Sequence, residues 1–158
     1  MSRRDTSAAA PRVRPARPDE AELLIDLQLR LARESEGIEL DPEVLGSGVR
    51  AVFDDPTLGE YRVAELDGRV AGCMLVKRGW SDWSNGTVLW LEGVYVLPEA
   101  RGHGVFRALY EQLRRRVESA PDLKGIRLFV DRRNQRAEAV YRRLGMTADH
   151  YALFEWLK

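Results

Sequence analysis

The sequence of 158 residues has the length of one compact domain, which can bury roughly two-thirds of the surface that its unfolded chain exposes. Its 25 basic and 25 acidic residues cancel, and this balance argues against a protein that works mainly by coating nucleic acid or an anionic membrane. Any anion site must therefore be local. We expect a disordered basic tail over residues 1–11 and a single domain over residues 12–158.

Residue usage indicates an intracellular protein without a structural metal. The single cysteine, Cys73, cannot form an internal disulfide, and no Cys-x-x-Cys pair occurs. His103 and His150 stand far apart, so we predict no metal site. No apolar run reaches the ~20 residues of a membrane span, and no hydrophobic signal region follows the early arginines. We expect a cytoplasmic protein with no nucleic-acid or membrane partner.

The first third of the chain predicts a strand and two helices. The segment VRPAR predicts a short first strand. After Pro18, residues of one apolar stripe recur at helical spacing and predict a helix that ends near Gly37. Asp41 and Pro42 have the residue types of an N-cap and a first helical position, so they predict the start of a second helix.

The middle of the chain predicts a β-hairpin and a central strand. The runs EYRVAEL and RVAGCMLVKRGW are joined by Asp67 and Gly68, the pair most favoured in a two-residue hairpin turn. They should therefore be antiparallel neighbours. After a second turn at Asn85, the run VLWLEGVYV is rich in β-branched and aromatic residues on both faces, as is typical of a central strand.

The last third alternates helices and strands. Apolar residues at helical spacing from Phe106 predict a helix to about Ser119, and GIRLFV predicts a further strand. Residues 137–144 predict a last helix that stops at Gly145, and TADHYALFEWLK predicts one or two final strands. The order of elements predicts an α/β or α+β layered domain.

The stretch RGHGVF, residues 101–106, has the composition of an anion-binding loop. Gly102 and Gly104 lie between a strand end and a helix start, where free backbone N–H groups and the positive helix end converge. Without a Cβ, glycine lets a pyrophosphate approach these amides. Taken alone, the spacing fits a tight turn equally well. The Gly-Lys-Ser/Thr of a P-loop is absent, and Arg107 stands where a dinucleotide fold has its third glycine.

Two motifs together indicate a family. VYVLPEARGHGVFRALYEQL resembles the acetyl-CoA-binding motif of the GCN5-related N-acetyltransferase superfamily, in which a strand ending in Val-x-Pro precedes Arg/Gln-x-x-Gly-x-Gly/Ala. NQRAEAVYRRLGM is similar to that family's Asn-x-x-Ala-x-x-x-Tyr-x-x-x-Gly-Phe segment, and both occur in the family's order. The matches cover about Trp90 to Met146. The sequence departs at Phe106, where the phosphate loop usually has a small residue, and at Met146, where the family has phenylalanine.

The resemblance implies a fold and an activity. The fold is a mixed, mostly antiparallel sheet with splayed central strands, LEGVYV and IRLFVD, flanked by about four helices. The activity is direct transfer of the acetyl group of acetyl-CoA, a cosubstrate, to an amine of a small molecule or a protein. The alternatives are another acyl group, a hydroxyl acceptor, or a non-catalytic CoA-binding sensor. A homodimer is a family-level expectation.

The resemblance also implies cofactor contacts. Amides from Gly102 to Phe106 should hold the CoA pyrophosphate, and the strand backbone before them should pair with pantetheine as a further strand would. Two arginines are candidates for the phosphates, although a solvated surface charge is an equal explanation for Arg107. Asn134 is a candidate pantetheine contact or a helix cap. The predicted cofactor-binding residues are Val94, Tyr95, Val96, Arg101, Gly102, His103, Gly104, Val105, Phe106, Arg107 and Asn134.

Two residues are candidate catalytic groups. Glu92 interrupts an apolar strand, where a carboxylate must be paired, hydrated or facing a cleft, and we predict it as the general base, acting through a water. The alternative is a structural carboxylate bonded to the backbone or to an arginine. Tyr141 matches the family's tyrosine near the thioester sulfur, which implies that it protonates the departing thiolate, although packing alone also explains it. An amide near Val94 would stabilise the oxyanion.

Three tryptophans line an acceptor pocket or pack at the sheet edge: Trp80, Trp83 and Trp90.

Overall fold

One five-stranded sheet forms the centre of the protein, whose computed structural model describes residues 9–158. The strands follow one another in chain order, and every neighbouring pair is antiparallel except the last, which is parallel. The predicted tail, residues 1–11, lies mostly outside the described residues. The mixed, mostly antiparallel sheet is as predicted. The strands are β1 (Arg12–Pro15), β2 (Glu60–Leu66), β3 (Arg69–Ser81), β4 (Gly86–Val96) and β5 (Leu123–Leu128).

Four α-helices accompany this sheet in the described part of the chain. They are α1 (Ala21–Leu31), α2 (Pro42–Asp54), α3 (Val105–Ser119) and α4 (Gln135–Arg143). A turn of π-helix, Ala32–Glu36, extends α1 as far as Gly37, whose φ of 65° ends the helix where predicted. Asp41 caps α2 by accepting a hydrogen bond from the Glu43 N–H at 2.8 Å. Within residues 9–158, no helix is long and apolar enough to cross a membrane.

Two apolar cores lie on the two faces of the sheet. Leu109 of α3 belongs to the core on one face, while Leu24 of α1 and Val49 of α2 belong to the other. Neighbouring residues of β3 show the division, since Met74 is fully buried in the α3 core and Cys73 is fully buried in the α1 and α2 core. The central strands are therefore apolar on both faces, as strands covered on both sides must be.

The predicted hairpin between β2 and β3 is confirmed. Asp67 and Gly68 have φ values of 52° and 76°, and positive φ at both central residues is the signature of the two-residue turn that Asp-Gly favours. Leu66 pairs with Arg69 directly beside the turn. Local turn chemistry thus determines the register with which these strands pair.

A buried ion pair ties the start of the chain to the sheet. Arg14 of β1 donates hydrogen bonds to Glu20 at 2.7 and 2.9 Å and to Glu65 of β2 at 2.8 Å. The hydrogen bonds from Arg14 are the main cause that lowers the pKa of Glu20 from 4.5 to about 2. Glu20 is the one charged residue that is buried within the described range, and Arg14 compensates its burial.

The C-terminal residues contain no strand, so the prediction of one or two final strands in residues 147–158 is wrong. The apolar side chains that produced this pattern are exposed instead, among them Tyr151, Phe154 and Trp156. A β pattern becomes a strand only where its backbone groups find a partner strand, and the edge strand β5 pairs with β4 alone. β5 itself covers Leu123–Leu128 rather than the predicted 125–130.

Candidate active site

A cleft opens where β4 and β5 part. Their parallel pairing begins with Thr87 opposite Leu123 and ends with Leu91 opposite Leu128, although β4 continues to Val96. The end of β4 therefore has no pairing to β5, which confirms the predicted splaying of these two strands, although β5 is an edge strand and not the central strand that was predicted. Backbone N–H and C=O groups on this side of β4 are available to a ligand instead of a strand.

The stretch RGHGVF, residues 101–106, which we call the glycine loop, lies beside the cleft between β4 and α3. Gly102 and Gly104 have φ values of 80° and 77°, which glycine adopts without the strain that other residues suffer. A Cβ at either position would meet no atom within 4 Å, so open space adjoins both backbones. Because α3 begins at Val105, its unpaired N–H groups and its positive end lie at this loop. The arrangement suits a phosphate group.

The cleft and the glycine loop border one cavity of about 620 Å³, a volume typical of small-molecule sites. Most of the predicted site residues line it. Two do not: Glu92 and His103 are not among the lining residues. His103 is exposed, with its Nδ1 3.1 Å from the carbonyl oxygen of Arg101. The predicted residues that line the cavity are Val94, Tyr95, Val96, Arg101, Gly102, Gly104, Val105, Phe106, Arg107, Asn134 and Tyr141.

The rings of Tyr141 in α4 and Phe106 in α3 pack against each other, and both residues line this cavity. Their ring centroids lie 5.5 Å apart in an edge-to-face arrangement, which is a favoured geometry for two aromatic rings. Burial raises the pKa of the Tyr141 phenol above its ordinary value, so this group stays protonated at neutral pH. Phe106, the departure from the family's small residue, thus packs directly on the predicted acid and restricts the orientation of its ring.

A polar cluster of Glu34, Tyr95 and Arg101 forms one wall. The Glu34 carboxylate accepts hydrogen bonds from the Tyr95 hydroxyl at 2.6 Å and from Arg101 Nη2 at 2.8 Å, and these bonds lower the pKa of Glu34. Burial, followed by the bond to Glu34, raises the pKa of Tyr95 to about 12. Arg101 Nε also donates to the Val96 carbonyl oxygen at 3.0 Å. One of the predicted backbone partners of pantetheine therefore already accepts a bond from Arg101.

Glu92 forms an ion pair on the sheet. Its Oε1 lies 3.1 Å from Nζ of Lys77, and its side chain is 36% exposed. The carboxylate is thus both paired and partly hydrated, which removes the cost of placing it in an apolar strand. This arrangement resembles the structural alternative, with a lysine in place of the backbone or an arginine. The role of Glu92 as general base stays a prediction.

Cations and an amide border the α4 side of the cavity. Arg107 is 72% exposed and forms an ion pair with Glu111 at 2.7 Å, as a solvated surface charge does. Arg136 also lines the cavity, and within residues 9–158 no ion pair involves it. Asn134 accepts a hydrogen bond from the Ala137 N–H at 3.1 Å, so it caps α4 while lining the cavity. Within the described part of the chain, Arg136 therefore has no ion pair, whereas Arg107 is paired with Glu111.

The three tryptophans do not line the cavity. Trp80 and Trp83 are strongly exposed near the turn after β3. Trp90 stacks on Phe129 with ring centroids 4.9 Å apart, and the Arg127 guanidinium carbon lies 5.7 Å from its ring centroid. The contacts of Trp90 match the alternative in which it packs at the sheet. An acceptor pocket around the tryptophans stays a prediction.

Two polar residues were not predicted from the sequence: Glu34, which lines the cavity, and Gln28 of α1, which contacts β4. Gln28 donates a hydrogen bond from Nε2 to the Gly93 carbonyl oxygen at 2.9 Å. It falls on the apolar stripe of α1, and a polar residue at such a position was the signal that could have identified it. Glu34 lies in the polar run ARESE, which carries no comparable signal.

Comparison with known proteins finds the same fold. A family model described as acetyltransferase (GNAT) family matches residues 22–146, whereas no curated protein matches the sequence significantly. A possible acetyltransferase from Clostridium difficile 630 is 33% identical, with a TM-score of 0.87 over 95% of this chain and 99% of that one. A predicted acetyltransferase with acetyl-CoA from Clostridium acetobutylicum is 18% identical (TM-score 0.71; 92% and 96% covered). An aminoglycoside N-acetyltransferase in complex with CoA is 16% identical (TM-score 0.77; 98% of both chains).

Proposed function

Since this chain belongs to the acetyltransferase (GNAT) family, we propose that it transfers the acetyl group of acetyl-CoA to an amine of a small molecule or a protein. One observation carries the proposal: parted strands, the glycine loop and Tyr141 border the same cavity. The cavity has one surface for the pyrophosphate of CoA and another for its pantetheine arm. The start of α3 suits the pyrophosphate, and the edge of β4 that has no pairing to β5 suits the amides of pantetheine.

Binding would use backbone groups more than side chains. The amides of residues 102–106 hold the pyrophosphate, and β4 residues Val94 and Val96 pair with pantetheine. Arg101 donates to the Val96 carbonyl without the ligand, so pairing at this carbonyl requires the Arg101 side chain to turn away. A guanidinium that also leaves Glu34 can contact a phosphate, and Arg136 is a second candidate because it lines the cavity and no ion pair within residues 9–158 involves it.

The reaction is a direct attack. The acceptor gives up the proton of its ammonium form, its neutral nitrogen bonds to the thioester carbonyl carbon, and the carbon–sulfur bond breaks. The Val94 N–H donates to the carbonyl oxygen as negative charge develops there. Glu92 accepts the first proton of the acceptor ammonium through a water, and Tyr141 gives its proton to the departing thiolate. The nitrogen then gives its second proton to the Tyr141 phenolate, so the products are the amide, the CoA thiol and one proton held by Glu92. Burial raises the pKa of Tyr141, so the phenol keeps its proton until the thiolate departs.

A covalent acetyl-enzyme on cysteine has no support. The single cysteine of the chain, Cys73, is fully buried and does not line the cavity. Burial raises the pKa of its thiol to about 12, so the nucleophilic thiolate is scarcely populated at neutral pH. Direct transfer is the simpler scheme, since it needs no second nucleophile.

Thiol release from acetyl-CoA, measured across a panel of amines, tests the proposal. We expect at least one amine to release thiol in a 1:1 ratio with an acetylated product, identified by mass spectrometry. Faster release with a longer acyl-CoA would show that the transferred group is not acetyl. Faster release with an alcohol would show that the acceptor group is a hydroxyl and not an amine. Tight CoA binding without release for any acceptor would instead support a non-catalytic sensor.

A further inference from the structure

β4 carries a bulge at the point where the cavity begins. In the β3–β4 register, Cys73 lies opposite Tyr95 and Leu75 lies opposite Glu92, so one residue of β3 faces two residues of β4. Gly93 belongs to this bulge and has a φ of 55°, a left-handed conformation that favours glycine. The bulge lies just beyond the last residue of β4 that pairs with β5. It therefore determines how the free end of β4 faces the cavity.

Gln28 of α1 contacts this bulge. Its Nε2 donates to the Gly93 carbonyl oxygen at 2.9 Å and lies 3.5 Å from Sγ of Cys73. A Cβ at position 93 would lie 2.6 Å from Oε1 of Gln28, so the carboxamide packs directly on the bulged backbone. Leu24 and Leu27 of the same helix are fully buried and hold this face of α1 in the core. The bulge and the carboxamide are thus fixed against each other.

The direction of the Gly93 carbonyl determines that of the Val94 N–H. The two groups belong to one peptide unit, and in a trans peptide they point in opposite directions. The described residues contain no cis peptide. Gln28 and Cys73 contact the carbonyl from the side of α1 and β3. The Val94 N–H accordingly points toward the other side, where β5 has parted from β4 and where Val94 lines the cavity.

We propose that Gln28 is a positioning residue for acetyl transfer. By holding the Gly93 carbonyl, its carboxamide aims the Val94 N–H at the oxygen of the thioester carbonyl, on which negative charge develops. The inference rests on the proposed function, because that charge arises only during acyl transfer. A donor of this kind acts through its fixed orientation, so a residue that fixes the orientation affects the rate without touching the substrate.

The variant Gln28→Met removes the donor and keeps an unbranched side chain of similar length. We expect kcat to fall about 10- to 100-fold, less than the roughly 100- to 1,000-fold of losing an oxyanion donor outright, because the N–H stays but is no longer held. KM for acetyl-CoA should change less than about 3-fold, since the glycine loop is untouched. Gln112→Met is the matched control: Gln112 Nε2 donates to the Val13 carbonyl oxygen at 3.5 Å, away from the cavity.

The variant Gln28→Glu adds a pH readout. The introduced carboxyl group cannot donate to the Gly93 carbonyl when ionised, but it can donate when protonated. Burial favours the protonated form, so kcat relative to the wild type should recover as the pH falls from about 8 to about 6. Circular dichroism at each pH checks that both proteins are folded. A purely structural role of Gln28 predicts a ratio that does not depend on pH.

The outcomes separate this inference from the proposed function. If the wild type is active and folded Gln28→Met retains kcat within about 2-fold of it, the inference is wrong while the proposed function stands. If the wild type acetylates no acceptor, the proposed function is wrong, and the amide resonance of Val94 in ¹H–¹⁵N spectra then tests the positioning. We expect that resonance to shift in Gln28→Met and not in Gln112→Met; an unshifted resonance would overturn the inference.

Discussion

Replacing Gly104 by glutamate places a carboxylate in the space that we assign to the pyrophosphate. The change should leave the protein folded. A non-glycine residue at the φ of 77° costs roughly 1–2 kcal/mol, and no atom lies within 4 Å of the new Cβ. The negative charge of the new carboxylate at the N-terminus of α3 stabilises the folded state by about 0.3–1 kcal/mol. We therefore expect the free energy of unfolding to fall by only about 1 kcal/mol.

The effect on CoA binding should be far larger. Two unit charges about 4 Å apart repel each other by about 4 kcal/mol at the effective dielectric constant of ~20 that applies near a protein surface. Every 1.4 kcal/mol is tenfold in affinity, so this repulsion corresponds to a loss of about 1,000-fold. Screening by physiological salt reduces it, and we expect about 100- to 1,000-fold weaker binding, with a stronger effect at low salt.

Calorimetric titration with CoA measures this loss, and two variants isolate its cause. Gly104→Gln has the same shape without the charge, and it should weaken binding by about 10-fold or less. Gly68→Glu introduces the same charge at a similar φ of 76° and in open space, but in the β2–β3 turn, so CoA affinity should not change. If Gly104→Glu bound CoA within about threefold of the wild type, the assignment of the glycine loop would be wrong.

Other residues give further predictions. Tyr141→Phe should lower kcat about 100-fold, the scale of general acid catalysis, with CoA affinity within about threefold; an unchanged kcat would leave Tyr141 as a packing partner of Phe106. For Glu92→Gln we expect the rate advantage on the alkaline side to disappear, and an unaltered pH–rate profile would assign the base to another group. The pKa of Glu20 is about 2 in the folded protein and 4.5 ordinarily, so its pairing with Arg14 stabilises the fold fully above about pH 4.5 and ceases to do so as the pH falls toward 2. Glu20→Gln should thus lower the free energy of unfolding by about 3 kcal/mol at pH 7, and by progressively less between pH 4.5 and 2 in denaturant titrations; a pH-independent difference would contradict this account.

The parts of the site that the sequence predicts are those with local causes. Gly102 and Gly104 adopt positive φ because the turn before α3 requires it, and their spacing is visible in the sequence. The same holds for the hairpin turn at Asp67 and Gly68 and for the cap at Asp41. In each case, residues one to three positions apart determine the backbone, so no knowledge of the tertiary structure is needed.

The contacts that could not be predicted join distant parts of the chain. Gln28 and Gly93 are 65 positions apart, and Glu34 and Arg101 are 67 positions apart. Both pairs form only because the core packs α1 on the sheet beside β4. Lys77 reaches Glu92 diagonally, because β3 pairs with β4 in a register that places Lys77 opposite Trp90, and this register is not visible in single residues. Such partners depend on packing rather than on spacing.

In the C-terminal segment, by contrast, a strand was predicted from the sequence and the structure has none. Residues 151–157 are apolar except for Glu155, as in a strand that is covered on both faces, yet pairing is a property of two segments and not of one. Phe106 is a second case, because it departs from the family's small residue at this position and the sequence alone does not show how its ring packs. The structure shows why a large residue is accommodated: the ring packs against Tyr141, and the loop itself stays open at Gly104.

A crystal structure of the protein with CoA tests the proposed binding mode of the cosubstrate. The proposed binding mode predicts pyrophosphate oxygens within about 2.7–3.2 Å of the backbone nitrogens of residues 102–106. It also predicts pantetheine along β4 at Val94 and Val96, with the thiol beside the Tyr141 hydroxyl. A pyrophosphate bound away from the glycine loop, or an empty cavity between β4 and β5 at saturating CoA, would contradict it.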